Sequence, residues 1–275
     1  MASYAYKPIP MKALIPSLIA LNLLLLTACR KDKEEEVIDL DYTSATDNAR
    51  AEDAFSDMLM QVDKAVDDNG LRELCDPTVN FDTTSSPRTM TLDFGAENCT
   101  ASNGRLRRGR ILVSYTGRYR DQGTVITITP QNYYVNNNRV EGTKTVTNLG
   151  PNPDGDVEFS VSVNGTLTAA DGSWTASHTA QRTRTWIAGD DTPALSDDVY
   201  LTTGSGSGVN RNGVAYTVSI TNALRIALNC PFITQGTVQV IPGALPARII
   251  DYGSGACDAN FSVTVNGQTF NVVIG

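Results

Sequence analysis

The chain has 275 residues, 41% of them hydrophobic and 19% charged, with 22 Lys and Arg against 30 Asp and Glu and a formal charge of −8. This acidity argues against a nucleic-acid partner, because no broad basic surface is available to neutralise phosphates. The single histidine excludes a histidine-rich metal site, and the length suits one large β domain or two small ones.

The N-terminus carries an address. Lys7 and Lys12 flank an apolar run from Ala13 to Ala28, interrupted at Pro16. A basic flank, a short apolar core and small residues before the cut make a secretory signal, and the run falls short of the roughly 20 residues that cross a bilayer. Its end, Leu26-Thr27-Ala28-Cys29, resembles the lipobox of bacterial lipoproteins. The resemblance implies a signal peptide over 1–28, cleavage before Cys29 and acylation of that cysteine, a durable anchor where a single chain would be marginal. Residues 29–43 then form a charged, solvated tether, Arg30-Lys31-Asp32-Lys33-Glu34-Glu35-Glu36 being its core. Acids just behind the lipidated cysteine also resemble the surface-export signal of Bacteroidota lipoproteins, which implies an outer-membrane protein facing outward; a periplasm-facing anchor is the alternative.

Residues 44–70 follow a helical pattern. Phe55, Met58, Leu59, Val62 and Val66 recur at three- and four-residue spacing, with acids on the other face. Ser44 or Asp47 is placed to cap the start and Asn69-Gly70 to stop it. The stripe is expected to pack on the β domain.

From 71 to 275 the pattern is antiparallel β. Ile111, Val113 and Tyr115, then Ile126 and Ile128, then Phe159, Val161 and Val163, alternate with polar residues. So do Val214, Tyr216, Val218 and Ile220, and Phe261, Val263 and Val265. Asn164-Gly165 and Asn266-Gly267 supply hairpin signals, and Asn212-Gly213 leads into a strand. Gly150 to Asp156, Gly189 to Asp198 and Gly204 to Gly208 are expected loops. The expected fold is all-β: a large antiparallel meander, either a sandwich or a curved, barrel-like sheet, with one N-terminal helix and two disulfides.

Four cysteines remain beside Cys29. Thr91-Leu92-Asp93-Phe94-Gly95 leads to Cys99, and Ile249-Ile250-Asp251-Tyr252-Gly253 leads to Cys257. Each is preceded by a cysteine next to a proline and a β-like run, in Cys75-Asp76-Pro77 and Cys230-Pro231. This weak internal duplication, over about 75–118 and 230–275, selects the pairs Cys75–Cys99 and Cys230–Cys257. In the chain-entropy picture each closed loop contributes about 3.5 kcal/mol. Asp93 and Asp251 precede aromatic-Gly and are expected to make turns rather than to act as a catalytic pair.

The two Asp-aromatic-Gly segments belong to a wider pattern. Together with Tyr115-Thr116-Gly117-Arg118-Tyr119, the run Asn132-Tyr133-Tyr134-Val135-Asn136 leading to Val140-Glu141-Gly142-Thr143, and the terminal Val263-Thr264-Val265-Asn266-Gly267, they resemble a family of Bacteroidota outer-membrane lipoproteins. The resemblance covers most of the exported chain; it implies address and fold, and no activity.

Catalytic signals are thin. His178 lies in a Thr/Ser-rich strand without a nucleophile elbow, and a surface or half-buried strand histidine is expected. Asp154-Gly155-Asp156-Val157-Glu158, Asp190-Asp191 and Asp197-Asp198 match no EF-hand spacing and are expected to be solvated loops. Arg105, Arg107, Arg108, Arg110, Arg118 and Arg120 are expected as charge on an exposed strand. Gly204 to Gly208 lacks the Lys-Ser/Thr of a phosphate cradle. No catalytic residue, metal ligand or cofactor is assigned. Trp174, Trp186, Tyr133 and Tyr134 are candidates to contact a ligand through their rings. The expectation is a non-enzymatic surface binding or structural lipoprotein, anchored in the membrane by its lipid, with an envelope protein or surface glycan as partner. The alternatives are a carbohydrate-binding accessory of a glycan-uptake system and a glycan-active enzyme.

Overall fold

One-sided alternation extends the chain into strands, and Gly- and Asn-rich turns fold each strand back on the one before it. The computed structural model describes residues 38–66 and 75–274, together with Ala5. The signal sequence, Cys29, most of the tether and the Asn69-Gly70 stop lie outside the described residues. One helix, α1 (Thr43–Ala65), precedes β1 (Thr78–Asp82), β2 (Arg88–Asp93), β3 (Cys99–Thr100), β4 (Leu106–Tyr115), β5 (Val125–Val135), β6 (Asn138–Pro151) and β7 (Val157–Thr168). β8 (Thr175–Ala188), β9 (Val199–Val209), β10 (Ala215–Ala227), β11 (Gln235–Pro242), β12 (Arg248–Ser254), β13 (Asn260–Val265) and β14 (Gln268–Val273) complete the chain.

The fourteen strands form one antiparallel sheet in chain order, with β3 lying off the main path on the first residues of β4. The expected meander is the fold, and its form is a single curved sheet rather than a sandwich. No backbone pairing joins β1 to β14 among the described residues. The start of β4 meets the far half of the sheet through side chains: Arg105 lies 5.4 Å from the ring centroid of Phe232, which precedes β11, and residues 103–106 share a cleft with Val273 and Ile274 at the end of β14.

The helix fills the concave face. Seventeen of its 23 residues are buried. Phe55, Met58, Leu59 and Val62 join a core built from β2 and β4 to β9, whereas Ala45 and Ala49 join a second core built from β10 to β13. Two expectations change here. The acidic face does not meet solvent: Asp47, Asp53, Asp57 and Asp63 are all buried. Nor do Ser44 or Asp47 cap the helix; Asp41 Oδ1 accepts the Thr43 N–H at 2.8 Å, and Asp47 accepts the Arg211 N–H at 2.8 Å from the β9–β10 turn.

The carboxylates meet cations that point inward from the sheet. Arg105 reaches Asp53 at 2.8 Å and Asp57 at 2.9 Å, and Arg107 reaches Asp57 at 2.6 Å. Arg182 on β8 reaches Glu52 at 2.8 Å, and Arg184, two residues on, reaches Asp63 at 3.4 Å. Lys144 on β6 donates to the Phe55 carbonyl at 2.9 Å. Arg105 and Arg107 are thus buried partners of the helix, not charge on an exposed strand.

Glycine admits the helix so close to the sheet. Asn164-Gly165 makes no turn; it lies inside β7, where Gly165 pairs with Gly142 of β6. A Cβ at Gly165 would stand 2.3 Å from Phe55 Cζ, so the ring sits where other residues carry a side chain. Gly204 to Gly208 is likewise strand rather than loop, the second half of β9, and the Tyr216 ring covers Gly208. Asn266-Gly267 does turn the chain, between β13 and β14, with φ of 47° and 79°.

Asp57→Ala removes a carboxylate shared by two buried guanidiniums and is expected to lower unfolding stability by about 3–5 kcal/mol. Asp121→Ala breaks a fully exposed pair with Arg118 and is expected to leave stability nearly unchanged. Urea denaturation of both variants measures the contrast, and equal losses would refute the role given to the buried pairs.

Candidate functional site

The first Asp-aromatic-Gly turn builds an outward-facing cleft. Asp93 ends β2, and its Oδ1 accepts the Gly95 N–H at 2.9 Å, while Gly95 takes a φ of +85°. Phe94 donates its N–H to the Gly109 carbonyl at 2.9 Å, and Gly109 donates to the Gly95 carbonyl at 2.7 Å. Gly109, at φ +86°, has the Asn132 carbonyl oxygen 1.9 Å from where a Cβ would lie, so only glycine fits. Opposite it, β5 slips register around Asn132, which has a φ of +47°. This bulge reverses the pleat: Ile126 and Ile128 face inward before it, Tyr133 and Val135 after it.

Tyr134 is thereby turned outward. Arg108 stacks on its ring at 3.8 Å and donates to Asn98 Oδ1 at 2.7 Å and Asn137 Oδ1 at 3.1 Å. Arg110 donates to Asp93 Oδ2 at 2.7 Å. The Gly95 N–H and then Arg110 hold the Asp93 carboxyl below its ordinary range. The cleft measures about 410 Å³ and is lined by Asp93, Gly95, Arg108, Arg110, Asn132 and Tyr134 among others. A half-buried ring bordered by amide, carboxylate and guanidinium groups suits a hydroxyl-rich ligand, which needs both a flat apolar face and paired donors and acceptors.

The four candidate aromatics do not gather. Tyr133 is buried, its hydroxyl 3.4 Å from Asp57 Oδ2, because the bulge turns it onto the helix. Trp186 is also buried, stacked on Tyr200 at 5.4 Å and near Tyr119 and Phe159. Both belong to the core, and a ligand cannot stack on either. Trp174 is half-buried before β8, with Arg211 over its ring at 4.0 Å. Only Tyr134 lies in the cleft.

The cysteines pair as Cys75–Cys99 and Cys230–Cys257, with Cα atoms 5.3 and 5.7 Å apart. The second turn repeats the geometry of the first: Asp251 Oδ1 accepts the Gly253 N–H at 2.8 Å, and Phe94 and Tyr252 are each 7% exposed. These aspartates make turns. In the 152–156 loop, Asn152 Oδ1 takes the N–H groups of Asp154 and Asp156. Among the described residues no group of three or more His, Cys, Asp and Glu side chains is placed to hold a metal.

Sequence reading missed the interior polar cluster around His178. This residue is 1% exposed, facing the helix from β8, with Nε2 3.6 Å from Glu52. Burial pushes it down to about 4, against the pull of Glu52. Burial likewise brings Lys144 down to about 8. For Glu52 burial acts upward, but Arg182 and His178 outweigh it and hold the carboxyl at about 2. A signal was present: His178, Arg182 and Arg184 share the inward parity of Ala176, Ala180 and Trp186, and acids stand on the helix to meet them.

The sign of the histidine's contribution follows from its lowered value. The unfolded chain binds a proton near pH 6.5 and the folded chain only near 4, so stability present above 6.5 is lost as the pH falls toward 4. His178→Gln removes that term. The wild-type protein is expected to lose on the order of 2–3 kcal/mol relative to the variant between pH 7 and pH 4, measured by urea denaturation at each pH. A constant difference would refute the buried neutral histidine.

Compared with protein-family models, curated proteins and solved structures, the chain matches none.

Proposed function

We propose that the protein is a non-enzymatic, lipid-anchored protein of the outer membrane, held through Cys29 and working as a surface binding or structural module. The observation that supports this most is the filled interior. A curved sheet of this size has room inside for a ligand, and here its own helix takes that room with seventeen buried residues. Recognition is left to the outside, where the sheet presents Thr, Ser and Asn side chains and shallow clefts. The acidic composition keeps nucleic acid out of consideration, and an envelope protein is the partner class this reading names.

The cleft at Tyr134 supports a second reading, a carbohydrate-binding accessory of a glycan-uptake system. Its ring, Asn132 and the Asp93–Arg110 pair form the polar-aromatic border that sugars require.

Cell fractionation, an envelope pull-down and a glycan array test these readings together. The native protein is expected in the outer-membrane fraction and the Cys29→Ser variant in the soluble one; equal partitioning refutes the anchor. Reproducible capture of one envelope protein by Cys29→Ser protein supports the first reading. Selective glycan capture, weakened about tenfold by Tyr134→Ala, supports the second, and turnover of any glycan sinks the non-enzymatic reading.

A further inference from the structure

Between the helix and β6 to β10 lies a cavity of about 30 Å³, walled by Glu52, Phe55, Lys144, His178, Arg182, Arg184 and Thr202 among others. That is room for one or two water-sized bodies. Four polar atoms on this wall have no hydrogen-bond partner within the protein: His178 Nδ1, Arg182 Nε, Arg184 Nε and Thr202 Oγ1. All four residues are more than nine-tenths buried. Lys144, equally buried, uses one N–H on the Phe55 carbonyl and has two further donors by its chemistry. A buried donor left without an acceptor is costly, and the two arginine Nε–H groups, the Thr202 hydroxyl and Lys144 around one cavity point to a common acceptor.

The charge balance says which kind. Lys144, Arg182 and Arg184 bring three cations to the wall and Glu52 one carboxylate. Asp63, beside Arg184 at 3.4 Å, offsets a second. Burial raises the nearby Asp198 carboxyl to about 7, so at neutral pH it supplies no full counter-charge. Lys144, brought down to about 8 by burial, keeps most of its proton at neutral pH, so positive charge stays in excess in a site where water is scarce, which is costly. A neutral water satisfies donors but leaves that charge in place.

We propose that this cavity binds a single monovalent anion of halide size, with chloride accepting from the Nε–H groups of Arg182 and Arg184, the Thr202 hydroxyl and Lys144. The anion locks β6, β8 and β9 onto the helix as a structural ligand.

Thermal melts of the full chain carrying Cys29→Ser, at constant ionic strength in sodium chloride, bromide or gluconate, test this. The Tm is expected to rise by about 4 °C for each tenfold increase of chloride or bromide above its dissociation constant, with no such rise in gluconate, which is too large to enter. Thr202→Val keeps the side-chain shape and is expected to weaken the apparent chloride affinity about tenfold. Lys144→Met is expected to abolish the dependence. Crystals grown in bromide are expected to show anomalous scattering in the cavity. Equal stabilisation by gluconate and chloride overturns the proposal, and so does a cavity with ordered water only.

Discussion

The fold depends on the pairing of an acidic helix with the cationic inner face of the sheet around it. Such pairs are not a simple source of stability. Stripping water from each ion costs several kcal/mol, and the attraction regained offsets this only where geometry and remaining hydrogen bonds are good. Here the forks are good: Arg107 engages both oxygens of Asp57 at 2.9 and 2.6 Å, and Arg105 engages both of Asp53 at 2.8 Å. What the pairs add is discrimination. The apolar stripe of Phe55, Met58, Leu59 and Val62 would bury comparable area after a shift along or around the helix axis. A shift of one residue turns the helix by roughly 100° and sets Asp53 and Asp57 against apolar wall, which makes every alternative docking expensive. Register is therefore set by charge, and area does the holding.

Filling the interior moves chemistry outward. Tyr133 and Tyr134 are neighbours in sequence, yet one hydrogen-bonds Asp57 inside and the other supports Arg108 outside. The bulge at Asn132 separates them. The same bulge is possible only because Gly109 lets the Asn132 carbonyl approach, and Gly109 is tied by two backbone hydrogen bonds to the turn after Asp93. The cleft and the inward pointing of Tyr133 are thus one structural event seen from two sides.

Much of the fold was legible in the sequence because antiparallel strands with one wetted face write their period plainly. The strands of Phe159 and Val161, of Tyr216 and Val218, and of Phe261 and Val263 lie where alternation puts them, and the repeated Cys and Asp-aromatic-Gly spacing selected both disulfides. The failures share one cause. Single-sequence reading assigns charge to solvent: it puts the helix acids and Arg105 and Arg107 outside and His178 on a surface or half-buried strand, although Asp53, Asp57, Arg105, Arg107 and His178 are all buried, each because its partner is. Asn164-Gly165 failed for a related reason: its glycine serves the Phe55 ring of a helix more than 100 residues earlier, and no local turn rule contains that contact. The outer cleft was half legible. Tyr134 was a candidate, but the reversal that excludes Tyr133 comes from a register slip that no period-2 pattern announces.

The repeated cysteine motif takes its meaning from the helix. Cys75–Cys99 fastens the segment before β1 to β3, whose Cys99 pairs with Arg107 of β4, and Arg105 and Arg107 at the start of β4 hold Asp53 and Asp57. Cys230–Cys257 fastens the segment before β11 to that before β13. The strands it secures grip the chain where it enters the helix: Arg248 on β12 pairs with Asp39 and donates to the Asp41 carbonyl at 2.8 Å. Asn266 in the β13–β14 turn donates to the Asp39 carbonyl at 2.8 Å, and Phe270 on β14 stacks on Tyr42 at 4.7 Å. Each staple therefore backs one set of strands that clamps one part of the helix.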